Sequence, residues 1–322
     1  MAESSSKKVV YAALTTNGLI TLTKFAAALW TGSSAMLSEA VHSLVDTGNE
    51  GLLLYGQHRA AQPPDALHPL GHGRELYFWS FIVALLLFAV GAGLSLYEGI
   101  RHILNPEPVS NPFVNYAVLG AAFLFDGYSW TVAFRSFRAA KGPLGWFEAV
   151  RRSKDPPGFI VLFEDSADLA GLALAFAGNL ASTMLDMPVL DGVASVGIGL
   201  VLGAVSVFLA RESKALLIGE QADPEVAANI LAIARRADGI EAANGLFTVQ
   251  LAPEQVVAAL SLDFVDKLTA AEVEATVAAL EHRIRASHPE VVALLVKPQS
   301  ARDFREQADR LRAPARRHPA RP

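Results

Sequence analysis

Six apolar stretches, each long enough to cross a membrane as a helix, constrain this chain more than any other feature. A hydrocarbon layer of about 30 Å takes about 20 helical residues. The stretches lie near Val9 to Trp30, Ala35 to Gln57, Leu76 to Leu104, Pro112 to Phe134, Phe159 to Leu185 and Val189 to Ala210, and nothing after Arg211 is comparable. Charged residues make up only 18% of the 322, against roughly 25% in ordinary soluble domains. Lys7 and Lys8 precede the first stretch, but it runs too long for a removable signal and has no small-residue cleavage site. It reads as a span.

Orientation follows from Lys and Arg. With six spans, Lys7, Lys8, Arg59, Arg74, Arg135, Arg138, Lys141, Arg151, Arg152, Lys154, Arg211 and Lys214 fall on one side, and the opposite loops carry no Lys or Arg. By the positive-inside rule both termini are expected in the cytoplasm. Short loops and the lack of a targeting extension favour a bacterial inner membrane, and a lipid bilayer is the expected surround. The net charge of -5 gives no reason to expect nucleic acid.

The expected architecture is an α-helical membrane protein, with a six-helix transmembrane domain over residues 1–211. A small cytosolic α+β domain follows over 212–298, and a basic, disordered tail over 299–322. In the second domain, ADPEVAANILAIARRADG has helical spacing and NGLFTVQLAPEQVVAALSLDFV gives two alternating strands with a short turn. TAAEVEATVAALEHRIRASHP opens on a Thr cap, and VVALLVKP is a last strand. The order is αββαβ, that of a ferredoxin-like layer.

An ionisable residue at membrane depth costs about 2.5–3.5 kcal/mol on insertion scales, so each needs a partner or a task. The second span carries Glu39, His42, Asp46 and Glu50 in SEAVHSLVDTGNE. His42 and Asp46, four residues apart, share a helical face. The fifth span repeats the spacing with Glu164 and Asp168 in FEDSADLAG, with Asp165 one position round. Two such pairs supply four N/O ligands for one divalent ion, and with no cysteine in the chain every ligand must be N or O. The competing reading is structural: the groups share protons, or pair with Lys24. Glu39 and Glu50 read as interfacial or packed against partners, and Asp165 as lining the pathway.

The loop HRAAQPPDALHPLGHGRELYFW holds Asp65, His68 and His72 around Pro69 and Gly71, residues that favour a tight turn able to wrap three ligands round one ion. The competing reading is a loop with two ordinary histidines. His58 reads as a bystander. Glu98 and Arg101 read as a local ion pair, Asp126 as lining a watery path or bonding a neighbouring helix, and Gly197 and Gly199 as allowing close helix packing.

The runs SSAMLSEAVHSLVDTGNEGLLLYG and DALHPLGHGRELYFW, the span ending SLYEGIRHI and the αββαβ end together resemble the cation diffusion facilitator family of metal-efflux transporters, over roughly residues 7 to 298. The resemblance implies a homodimer that moves divalent metal, most often zinc, between the second and fifth spans in exchange for protons. His42, Asp46, Glu164 and Asp168 fall on the family's ligand positions, and Asp65, His68 and His72 match a loop zinc site of some members. Glu164 departs from the commoner His or Asp. One imidazole with three carboxylates moves preference toward Mn2+ or Fe2+, with Zn2+ still compatible and Co2+ or Cd2+ as further cargo. With only His282 and His288 near its end, the cytosolic domain is expected to lack the family's regulatory metal site. Two other classes compete: an intramembrane metal enzyme, for which no H-E-x-x-H or nucleophile motif appears, and a metal sensor or scaffold that binds without transporting.

Overall fold

The computed structural model describes residues 2–31, 34–106 and 112–312. It divides into two compact units, Met1–Ile218 and Gly219–Pro322.

The first unit is helical throughout. Its elements are α1 (Ala2–Thr31), α2 (Ser34–Ala60), α3 (Glu75–Leu86), α4 (Gly93–Leu104), α5 (Pro112–Lys141), the short α6 (Trp146–Arg152), α7 (Pro156–Leu185) and α8 (Val189–Ile218). A π-helical turn, Leu87–Ala92, joins α3 to α4. Among the described residues, three helices are long and apolar enough to cross a membrane: Glu75–Leu104, Tyr116–Lys141 and Val189–Ile218. Helices α1, α2 and α7 match them in length at 30, 27 and 30 residues. Their apolar runs are broken by Asn17 and Lys24, by Asp46, Asn49 and Glu50, and by Glu164, Asp165 and Asp168. Large apolar side chains such as Leu22, Leu29, Phe123, Leu124 and Leu200 lie on the outside, as a lipid-facing surface requires.

Inside lipid, helices gain little from the hydrophobic effect and associate through close packing. Helices α4 and α8 show how close. A Cβ built on Gly99 would stand 2.7 Å from the Val196 nitrogen, and one on Gly192 would stand 2.9 Å from the Gly99 carbonyl. Gly199 likewise meets Leu96, whereas Gly197 faces Leu174 at an ordinary 3.7 Å. Beside this contact His102 Nδ1 lies 3.2 Å from Asp191 Oδ2. At the opposite end Tyr77 donates to the Lys154 carbonyl at 3.2 Å, Gln57 Nε2 to Ser6 Oγ at 3.3 Å, and Leu216 packs on Leu76 and Tyr77. The start of α1, the α2–α3 loop, the start of α7 and the end of α8 therefore share one end of the bundle, the loop end.

The second unit runs α9 (Pro224–Arg235), β1 (Ile240–Ala252), β2 (Gln255–Phe264), α10 (Ala270–Ser287), β3 (Val291–Pro298) and α11 (Ala301–Arg312). The sheet order is β1-β2-β3, with β2 antiparallel to β1 and parallel to β3. Asp223 caps α9, and Thr269 with Glu272 forms a capping box on α10. Hydrogen bonds from Thr269 hold the Glu272 carboxyl below its ordinary range. Alternate residues of the central strand, Val256, Ala258, Leu260 and Leu262, bury against Ile230, Leu280 and Ile284 of the two helices.

Two boundaries differ from the sequence expectation. Helix α8 continues past Arg211 to Ile218, because Leu216 still has a core to enter. The start of the expected disordered tail forms α11: Ala301 N–H donates to Asp263 Oδ2 at 3.0 Å and Phe304 packs onto Gly245. Residues 313–322 lie outside the described residues.

Candidate metal centres

The loop following α2 is organised by one carboxylate. Asp65 Oδ1 accepts from the backbone N–H groups of Leu67 at 2.8 Å and His68 at 2.6 Å. Its oxygens also meet both histidines, His68 Nδ1 at 3.2 Å and His72 Nε2 at 3.1 Å. Gly71, at φ +82°, takes the left-handed turn that brings His72 back over His68, with ring centroids 4.2 Å apart. Asp65 and His68 are exposed and His72 is buried. One ligand atom from each of the three lies within 4.8 Å of the others, and this is the sole such group found among the described residues. The bonds to Asp65, the His68 backbone N–H foremost, hold its carboxyl down at about 2, so it is an anion at neutral pH. Two imidazoles and one carboxylate make an open three-ligand set that leaves a fourth position for water. The base of the loop is pinned by Arg59, 3.0 Å from Glu75, which also accepts from Trp79 at 2.8 Å.

The second centre lies within the bundle. A cavity of about 190 Å³ is lined from all six long helical segments, and both Asp46 and Asp168 are on its wall. Lys24, Ser43, Glu98 and Asp126 share that wall. Lys24 Nζ donates to Ser43 Oγ at 2.9 Å and lies within electrostatic reach of Asp126. Asp126 thus faces the cavity, the watery-path reading of that residue, and Glu98 is drawn into the same wall. On α7 the lining runs from Ala167 and Asp168 to Ala175, and on α8 from Ser195 to Leu202. On α8 this is the half away from the loop end, and on α7 it is the middle of the helix. On the loop side, Phe159, Ile160, Val161 and Leu162 are buried with Val9, Val10 and Phe137 in an apolar plug. The carboxylates therefore face a space reaching toward the far end of the bundle, and packed side chains close them off from the loop end.

Below the cavity floor, one helical turn nearer the loop end, lie Glu50 and Glu164, each 1% exposed. Glu50 Oε1 accepts from Asn17 Nδ2 at 2.7 Å. Glu50 Oε2, both oxygens of Glu164 and Asn49 Oδ1 are buried without a hydrogen-bond partner. Asn49 stands beside Glu164 but outside hydrogen-bond geometry. Asp165 is sealed on another side, near Ser129 and Asp126, and does not line the cavity.

Of the four ligands read from the two spans, Asp46 and Asp168 share one cavity and Glu164 sits beneath it. The side chains of His42 and Glu39 lie outside the described residues. For Glu50, open between an interfacial place and packing against a partner, the structure shows the second: it accepts from Asn17, and α2 continues to Ala60, about 15 Å further along the axis. Its i,i+4 relation to Asp46 was the available signal.

Residues 10–218 match the family described as the cation efflux transmembrane domain. The chain belongs to the cation diffusion facilitator family. Among relatives, it is 37% identical over 221 residues to the human protein named proton-coupled zinc antiporter SLC30A9, mitochondrial, covering 68% of this chain and 39% of that protein. It is 34% identical over 236 residues to metal tolerance protein C4 of Arabidopsis thaliana, covering 72% of this chain and 51% of that one. The cation-efflux pump FieF of Escherichia fergusonii is 24% identical over 256 residues, covering 78% of each. The chain thus spans well under two thirds of the length of the first two relatives. In this family member the matched region ends at Ile218, where the first compact unit also ends.

Proposed function

We propose that this protein is a proton-coupled antiporter that exports divalent metal cations, zinc foremost, from the cytoplasm. The observation that carries the reading is that Asp46 and Asp168, from two different helices, open onto one cavity inside an apolar bundle. Carboxylates at that depth hold either protons or a cation, because an unpaired buried charge is too costly to keep. A metal ion requires deprotonated ligands, so metal and proton occupancy exclude each other. Exchange follows by linkage, with no bond made or broken and no enzymatic step. With six spans and the basic loop end in the cytoplasm, the cavity described above faces the side of release. The apolar plug at Phe159–Leu162 is then the closed inner gate. The names of the human and Arabidopsis relatives, a zinc antiporter and a metal tolerance protein, support this reading.

A homodimer in a bacterial inner membrane, with a ferredoxin-like domain and both termini in the cytoplasm, completes the reading. His42 supplies the imidazole of the transport site beside Asp46, Glu164 and Asp168, and the loop triad holds a second ion. A manganese or ferrous-iron exporter is the second reading, favoured by the oxygen-rich donor set.

The test is metal flux in reconstituted vesicles under a proton gradient, with Zn2+, Mn2+, Fe2+, Co2+ and Cd2+ compared side by side. Proton-dependent flux is expected, and Glu164→His should move preference toward zinc. Binding without flux would leave a sensor or scaffold instead.

A further inference from the structure

Resting on the transport reading above, we propose that Glu50 is a cation ligand. With Glu164 and the side-chain oxygen of Asn49 it forms a second, all-oxygen station for the divalent ion, one helical turn on the loop side of Asp46 and Asp168.

Helices α2 and α7 bring their loop-end termini to the same end of the bundle, since α2 leads into the Asp65 loop and the residue preceding α7 by two, Lys154, bonds Tyr77 at the base of α3. Moving toward that end means going from Asp46 to Glu50 on one helix and from Asp168 to Glu164 on the other. Four residues advance a helix by about 6 Å. The carboxylates thus form two rungs, Asp46 with Asp168 on the cavity wall and Glu50 beneath it, with Glu164, in electrostatic reach of Asp46 and Asp168, common to both. Glu50 and Glu164 are within electrostatic reach of each other.

The lower rung is equipped as a binding site and not as an internal clasp. Asn17 fixes one oxygen of Glu50 by a 2.7 Å hydrogen bond and leaves Oε2 unpartnered. Neither oxygen of Glu164 is used. Asn49, an uncharged residue 1% exposed, also leaves its Oδ1 unpartnered there. A structural carboxylate cluster would be expected to close its hydrogen bonds on itself, because orphaned polar atoms in a sealed site are rare. Glu50, Glu164 and Asn49 thus each carry at least one buried oxygen without a hydrogen-bond donor, and such an all-oxygen set suits a hard divalent ion. Two such ions one turn apart repel, so occupancy of the rungs alternates. The lower rung is the first an ion meets when the Phe159–Leu162 plug opens, and it hands the ion to the upper one.

The experiment uses the full chain in vesicles of sorted orientation, with zinc and manganese offered from either side. Glu50→Gln keeps the acceptor for Asn17 and removes the charge. It should raise the half-saturating metal concentration on the loop side about tenfold relative to the opposite side, and Glu50→Asp should restore part of that difference. An unchanged ratio between the two sides overturns the proposal and leaves Glu50 as a packing partner of Asn17. Should Glu50→Gln fail to fold, Glu50→His gives a second readout: the zinc-to-manganese flux ratio should rise, and an unaltered ratio overturns the proposal. Asp46→Ala in the same vesicles separates the two levels. Surviving flux in that variant defeats the transport site itself, whereas abolished flux with a normal Glu50→Gln defeats only the lower station.

Discussion

The loop centre and the intramembrane centre draw on the same ligand chemistry and are built in opposite ways. Asp65, His68 and His72 lie within eight residues of one another, are drawn together by a shared carboxylate, and satisfy most of their hydrogen bonds among themselves. The membrane carboxylates come from positions more than a hundred residues apart in sequence and sit at two depths, and those of Glu50 and Glu164 leave oxygens unpartnered. A preassembled set is suited to holding an ion. A divided set, drawn from separate helices, is suited to letting one go, because a site that must bind and release cannot be complete in every state.

The sharpest way to break that contrast is to exchange the two centres in one assay. Asp46→Ala should lower proton-driven metal flux by about 100-fold or more, equivalent to about 2.8 kcal/mol, in protein that still elutes as folded. His72→Ala should lower equilibrium metal binding at the loop by about tenfold, about 1.4 kcal/mol, while flux persists. If His72→Ala stops flux as Asp46→Ala does, the loop belongs to the transport path and the distinction falls.

A smaller effect sharpens the description of the cavity. The Lys24 ammonium shares the wall with Asp46, Asp126 and Asp168 and opposes a second cation there. Lys24→Met should therefore tighten metal binding about fivefold by removing that repulsion, and slow release in the same measure. Calorimetry and flux decay read the two quantities separately, and weakened binding would show Lys24 to be a positioning residue for the carboxylates instead.

The smallest effect concerns the preassembled loop. A carboxyl whose pKa is depressed by folding contributes stabilisation that is present above its unfolded value, near about 3.9, and is lost as pH falls through the folded one. For Asp65 the folded value is about 2. Hydrogen exchange at the Leu67 and His68 amides should stay slow at about pH 4 and accelerate only as pH approaches about 2. Acceleration already at about pH 5 would show that the carboxylate does not organise the loop.

The sequence resolved the loop triad and left the burial of Glu50 and Glu164 open for one physical reason. Ligands spaced three and four residues apart around Pro69 and Gly71 are constrained by local geometry, so their convergence can be read from spacing. Depth in a bundle is not local. From its segment alone Glu50 reads equally as interfacial or as packed against a partner, and the run of α2 to Ala60 and the reach of Asn17 from α1 decide for the second. Helix α11 was missed similarly, since its charged residues read as a tail until Asp263 and Gly245 supply a surface for it.

By itself the sequence determined the place of the long helical segments, the order of elements in the second unit, and which residues could serve as ligands. Each of these is fixed by hydrophobic run length, periodicity or i,i+4 spacing along a single segment. Tertiary structure alone decided that Asp46 and Asp168 share a cavity, that the cavity faces away from the loop end, and that Glu50 and Glu164 lie sealed beneath it. Those facts depend on how separate helices rotate and pack against one another, which no single segment encodes.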